Sequence, residues 1–334
     1  MRRLLLVFSL SAYAAVANAN CGVDFDEFLT TLKQDAHTIG YSKNLIKEFF
    51  TDVKQNPKVL RADQNQEVFQ KDFIKFSQLL ISDYRITHAK KNATKYKDTF
   101  DKIEKEFGIS SGVLLALWAF ETDFGVNQGK FNTLNSLITL AHNCRRPELF
   151  RPQIFAALDL FKKNQFDPLK TQGAWAGEIG MIQMLPVDII QNGTDGDGDG
   201  TVDLQSSVPD ALITGAKMLS TLGWQANAPW LQEVLIPKNL DWSKTGLYNP
   251  LPVQDWKVMG VEARIGELFE GATHASILLP VGRNGPAFLT YPNFEVYLKW
   301  NQSLVYVTTA AFFASYLNGS PIYNPKTPDV GLNG

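Results

Sequence analysis

One glutamate in an otherwise apolar stretch has a setting that could do chemistry. Ile109 to Gly125 reads ISSGVLLALWAFETDFG, opening on a serine that can cap a helix and closing on a glycine that can end one. Between those ends the segment is apolar on every side, so as a helix it must be buried. Glu121 falls in its last turn. Burial disfavours a carboxylate, and the negative end of the helix dipole acts in the same direction, so both raise its pKa. A carboxylic acid that keeps its proton near neutral pH can deliver it to a leaving oxygen, as glycosidic cleavage requires. On spacing alone, a glutamate that reaches solvent from the helix end or caps a neighbouring loop accounts for the residue equally well.

A conventional glycosidase needs a second carboxylate across the bond, and Asp123 is the nearest. Two residues apart on a helix, the side chains point in widely different directions, so Asp123 reads as a surface or capping residue. With four histidines scattered along the chain, no His, Ser or Cys cluster offers a nucleophilic alternative.

A second signal is the run Asp195, Asp197, Asp199, Thr201 and Asp203, with glycine at 196, 198 and 200. Carboxylates at loop positions one, three, five and nine, with glycine at six, reproduce most of a calcium loop of the EF-hand type. Position twelve, where that loop supplies a glutamate, is Ser206, and Asp210 can fold back to complete the shell. Unneutralised, four aspartates within nine residues repel one another, which a bound cation resolves. A solvated turn is the other reading. The expected metal is a structural Ca2+ or similar cation, since nothing nearby supplies an open site with a base. A calcium switch is disfavoured by there being one such loop and no apolar groove to expose.

Two weaker signals remain. In Gly173 to Pro186 repeated small residues permit close backbone approach, and Gln183 offers a neutral donor and acceptor to a sugar amide or carboxyl. Arg145 and Arg146 are either a solvated charged face or a pair of guanidinium groups suited to an anionic ligand.

The elements that must position these residues are mostly helical. Tyr96, Phe100, Ile103 and Phe107 share one helix face, and helical patterns cover about 25–38, 43–54 and 66–90, with Ser42 as an N-cap and Asn56-Pro57 as a break. Further helices are expected at about 133–142, 148–162, 186–192, 209–222 and 302–317. After about 230 the prolines concentrate, and Ser276–Leu279 and Ala287–Leu289 read as short strands.

At the N-terminus Met1-Arg2-Arg3, an apolar stretch to about Val16 and Ala17-Asn18-Ala19 form a cleavable secretory leader, too short to span a bilayer. Cutting after Ala19 removes two arginines and moves the formal net charge from −2 to about −4, which argues against nucleic acid as a partner. Export places the protein in the periplasm; lipidation at Cys21 is the weaker reading. In that compartment Cys21 and Cys144 either form a disulfide or remain two buried thiols. With 45% hydrophobic and 20% charged residues the chain is globular, and its length calls for subdivisions.

The ordered set of motifs resembles the membrane-bound lytic transglycosylase B family with its soluble relatives. The pieces are Tyr84-Arg85, Glu121-Thr122 with Gly125, Arg145-Arg146, AGEIGMIQMLP (176–186), the aspartate loop, GRNGPAFL (282–289), Asn293-Phe294 and Trp300-Asn301 with Ser303. The resemblance implies a mainly α (α+β) fold: a lysozyme-like helical catalytic core (108–230, with the loop at 195–210), an N-terminal helical region (20–107) and a small mixed subdomain (231–334) that returns to the core with a C-terminal helix. It implies that the substrate is the glycan strand of peptidoglycan. Glu121 would protonate the oxygen between N-acetylmuramic acid and N-acetylglucosamine, then take the proton of the muramyl C6 hydroxyl as it attacks C1. One carboxylate then suffices. Tyr84, Arg145, Arg146, Gln183 and Asn301 would bind glycan or order the site, and Trp300 would stack on a sugar ring.

The family often has serine where Ala174 stands, tyrosine at Trp300 and near Glu295, and a small residue at Glu178. The main enzyme alternative is a hydrolytic muramidase; Ala174 and Glu295 motivate another, a catalytically impaired wall-binding protein. A monomer, with cell-wall synthesis or division proteins as further partners, completes the expectation.

Overall fold

The computed structural model describes residues 23–65, 72–269, 271 and 273–319. The leader and Cys21 lie outside them, and with Cys21 any disulfide to Cys144.

In chain order the elements begin with helices α1 (Phe25–Ile39), α2 (Lys43–Phe49) and α3 (Pro57–Gln64). Ser42 caps α2 as expected, accepting from the Leu45 amide, but α2 stops well short of residue 54. There Phe49 and Phe50 turn into the core and Asp52 takes a left-handed conformation. The helical pattern of 66–90 resolves into α4 (Phe73–Leu80) and α5 (Asp83–Lys95), broken where Ser82 caps α5; residues 66–71 lie outside the described part. Next come α6 (Lys97–Phe107), with Phe100 and Ile103 buried, and α7 (Ser111–Thr122). Strand β1 (Phe131–Asn132) leads into α8 (Thr133–His142), α9 (Pro147–Lys162), β2 (Gln172–Gly173), α10 (Pro186–Asn192) and α11 (Val208–Thr221). Strands β3 (Leu231–Leu235) and β4 (Leu251–Pro252) precede α12 (Val253–Val258), and β5 (Glu262–Ala263), β6 (His274–Leu278) and β7 (Ala287–Thr290) precede α13 (Pro292–Trp300) and α14 (Leu304–Leu317). The chain is mainly α with a minor β component, as expected.

Two compact units emerge, each assembled from separated stretches of chain: among the described residues, 23–65 with 128–193, and 72–127 with 194–319. In the first, α8 packs on α9, and β1 pairs antiparallel with β2. His142 sits between the rings of Phe25 and Phe28, at 5.3 and 5.2 Å, and its Nε2–H donates to the Val23 carbonyl at 2.9 Å. Arg151 pairs with Asp35, tying α9 to α1.

The second unit is built around α7 and α14, which are both largely apolar and bury Leu114, Leu117, Ala310 and Phe313 between their neighbours. Gly112 makes their approach possible: a Cβ there would stand 2.6 Å from the Ala314 carbonyl and 2.3 Å from the Asn318 side chain. Ser110 holds the N-cap position of α7, but its hydroxyl accepts from Asn318 instead of a helix amide, and Asn318 in turn accepts from the Gly112 amide. Five strands form one antiparallel sheet in the order β4-β6-β7-β3-β5. Its core includes Ile277, Leu289 and Trp256, all fully buried, the indole N–H of Trp256 donating to the Ala275 carbonyl at 2.7 Å. Burying a side chain of this size contributes about 2–3 kcal/mol, enough to seat α12 on the sheet.

Candidate active site

The end of α7 places Glu121. The helix stops at Asp123, two residues before the expected glycine, and Asp123, Phe124 and Gly125 all adopt left-handed conformations. Asp123 accommodates this as C-cap, and its carboxylate accepts from Arg85 Nε at 2.7 Å and from Asn127 Nδ2 at 3.2 Å. The Thr122 hydroxyl accepts from the Gly125 amide, closing the turn. Asp123 is thus a structural residue, held by an arginine that also donates to the Leu80 carbonyl and lies over the Phe120 ring.

Glu121 itself is half-buried and its Oε1 accepts two hydrogen bonds, from the Tyr306 hydroxyl at 2.6 Å and from Trp300 Nε1 at 3.1 Å. Burial holds the Tyr306 hydroxyl well above the ordinary phenol range, and the neighbouring Glu121 carboxylate pushes the same way while Arg85 opposes. Tyr306 therefore stays a neutral donor. The indole N–H can only donate. Hydrogen bonds donated to a carboxylate favour its charged form, which opposes the effect of burial and of the helix end. The two donors at Oε1 thus act against burial and the helix end, the two effects that the sequence suggested.

Tyr306 escaped the sequence reading. Its signal was a phenol in the largely apolar α14, because a buried hydroxyl of that kind needs a partner. Tyr297 on α13 is wholly buried, its hydroxyl without a hydrogen-bond partner among the described residues, and burial raises its pKa also. Tyr84, in the same unit, is 46% exposed and stacks on His88 with centroids 3.9 Å apart. Trp300, partly exposed, ends α13, and Asn301 caps that helix while its side chain accepts from the Ser303 amide at 2.9 Å. Glu121, Trp300 and Tyr306 are thus brought together; Tyr84 and Asn301 belong to the same unit.

The remaining glycan-binding candidates belong to the other unit. Arg145, exposed, and Arg146, partly buried, are not free cations: both pair with Asp63, which is 1% exposed, Arg145 Nη1 at 2.7 Å from its Oδ1. Asp63 was not anticipated, because it lies on α3, some eighty residues earlier. Gln183 occupies a left-handed position and donates to the carbonyls of Gly180, at 2.8 Å, and Gln128, at 3.3 Å, which fixes its amide across the turn closed by the Ile179–Met184 bridge. In that turn Glu178 is buried, and its Oε2 lacks a hydrogen-bond partner among the described residues. Burial pushes its carboxyl above the usual range, against the opposing pull of its own and Ala176's amides and of Arg146.

The aspartate loop builds a separate carboxylate cluster. Asp195, Asp197 and Asp210 bring one oxygen each within 4.8 Å of the others. Asp210, 1% exposed in the first turn of α11, does fold back: Oδ1 accepts from the Gly196 and Asp197 amides and Oδ2 from Asp203, at 2.8, 3.3 and 2.8 Å. Gly196 is required there, since a Cβ would stand 2.5 Å from the Pro209 carbonyl. Asp199 turns to Thr201, whose hydroxyl and amide hold its carboxyl below the usual range. Asp203 caps the following turn by accepting from the Gln205 and Ser206 amides. Three converging carboxylates are a hard-oxygen donor set that fits a cation of the calcium type. Asp199 and Asp203 are outside that converging group.

Membrane-bound lytic murein transglycosylase B of Escherichia coli (strain K12) is 25% identical over 195 residues, 55% of this chain and 54% of the relative, so the chain spans about half the length of the curated relative it matches. Among solved structures, SltB3 from Pseudomonas aeruginosa in complex with NAG-anhNAM-pentapeptide is 31% identical with a TM-score of 0.84, covering 89% of this chain and 80% of that one. Slt35 of Escherichia coli in complex with calcium shares the fold, with a TM-score of 0.75 at 22% identity over 87% of this chain and 93% of that one. Residues 24–315 match the transglycosylase SLT domain, and on that match the chain belongs to this family.

Proposed function

We propose that the protein is a lytic transglycosylase that cleaves the β-1,4 bond between N-acetylmuramic acid and N-acetylglucosamine in peptidoglycan, with Glu121 as its acid and then its base. The reading rests on one observation above all: a half-buried carboxylate at the end of an apolar helix, gripped by two neutral donors, in a chain of this family. Glu121 gives its proton to the glycosidic oxygen as the C1–O bond breaks. The resulting carboxylate removes the proton of the muramyl C6 hydroxyl as that oxygen bonds to C1, closing a 1,6-anhydro ring. The proton returns to Glu121, so no water is consumed. Asp123 takes no part, being committed to Arg85.

Tyr84, Trp300 and Asn301 bind glycan. Gln183, Arg145 and Arg146 bind it or order the site, the arginines with their charge shared by Asp63. Asp195, Asp197 and Asp210 would hold a structural calcium ion, which would stiffen the loop before α11 and supply no chemistry. The leader pattern of residues 1–19 supports action in the periplasm.

Digestion of purified sacculi, with mass spectrometry of the released fragments, tests the reading. Anhydromuramyl ends are expected, and Glu121→Gln should lower their release by about 10³-fold. Reducing muramyl ends would make the enzyme a hydrolytic muramidase instead.

A further inference from the structure

Trp300 has an obvious use as a sugar platform, since its ring is partly exposed. Its N–H edge is committed elsewhere, to Glu121 Oε1 at 3.1 Å. We infer that Trp300 is a positioning residue for Glu121, its indole N–H fixing the carboxylate rotamer in which the acid meets the glycosidic bond.

The geometry supports this in three ways. Tyr306 and Trp300 donate to the same oxygen from different helices, α14 and α13, so together they fix the direction of the carboxylate and neither alone does. The two donors differ in kind. A phenol can turn its hydrogen away and accept, whereas an indole N–H has no second role, so Trp300 enforces the orientation whatever the protonation of Tyr306's neighbours. Trp300 is also the last residue of α13, which Asn293 anchors at its start by donating to the Gln225 and Ala228 carbonyls at 2.9 Å each. The ring is therefore carried by a fixed helix.

Other groups that act on this pair are Tyr306 and, through it, Arg85 on α5 and Tyr297 on α13. Arg85 is neutralised by Asp123. Loss of the indole donor removes support from the charged form, so Glu121 holds its proton to higher pH and the alkaline limb of the activity profile moves upward.

The inference rests on the proposed role of Glu121, and the test separates the two. Trp300→Phe keeps an aromatic face and removes the N–H. It should lower kcat about tenfold, leave KM within about twofold, and move the alkaline limb to higher pH. A variant that raises KM at unchanged kcat would overturn the inference, leaving Trp300 a sugar platform only. Independently of activity, the protein labelled with 5-fluorotryptophan gives a 19F resonance for Trp300, identified by its loss in Trp300→Phe or Trp300→Tyr. In the wild type this resonance should follow one titration that disappears in Glu121→Gln. A resonance indifferent to pH in the wild type would also overturn the inference. A resonance that follows Glu121 in a protein releasing no muropeptides would instead remove the activity and leave the pair intact.

Discussion

Two acidic sites are held in opposite ways. The aspartate loop is supported by its immediate neighbours, with amides two to fourteen residues away donating to Asp195, Asp197, Asp199, Asp203 and Asp210. Glu121 is supported from 179 and 185 residues away, by Trp300 and Tyr306. A local arrangement can form as soon as the loop closes. A remote one exists only when α7, α13 and α14 are packed together, so the acid is correctly held only in the folded unit. The loop should tolerate damage elsewhere, and the seat of Glu121 should report on it.

The largest effect that could break this contrast is at Asp210. Asp210→Ala removes the acceptor of three backbone amides at a 1%-exposed position, and should destabilise the protein by about 3 kcal/mol, read by chemical denaturation. With Asp210 intact, calcium at about a hundredfold over its Kd should add about 2.7 kcal/mol; Asp210→Ala should abolish that calcium increment. No calcium effect in the intact protein would leave the cluster a hydrogen-bonded turn.

Tyr306→Phe comes next. It should lower kcat about tenfold while urea midpoints move little, because the ring still packs on Phe120. A large loss of stability at unchanged kcat would make the phenol a fold residue.

Glu178 sharpens the comparison with an acid whose Oε2 has neither kind of support. Its carboxyl is raised by burial, so the protonated form is favoured in the folded protein, and stability from this group is present at low pH and lost as pH rises through its folded value. Glu178→Gln should therefore raise the melting temperature at pH 7, by about 1 kcal/mol of stability, and the gain should vanish below the ordinary glutamate range. An equal change at both pH values would sink this account.

The same contrast explains what could be read in advance. The boundaries of α8 and α10 and the return of Asp210 to the loop follow from capping and spacing within a few residues. Glu121 stood out because a charge in an apolar helix is conspicuous at short range. What holds it was hidden, since neither Trp300 nor Tyr306 carries a local mark of the residue it will meet. Asp63 was hidden for the same reason, and its absence from the reading left Arg145 and Arg146 looking like free cations. Strand β3 at 231–235 was missed because LQEVL does not alternate cleanly and its pairing partners lie beyond residue 260.

The Gly112 contact has a consequence for how this pair of helices can change. α7 and α14 are fastened at both ends, Gly112 to Asn318 and Glu121 to Tyr306. Nine residues separate the fastenings on one helix and twelve on the other, so each helix acts as a gauge for its partner. One inserted residue in either would rotate the far fastening by about 100° and shift it by about 1.5 Å. Insertions and deletions should therefore be excluded from both helices long before conservative substitutions are, and alignments of related chains should run through them without gaps.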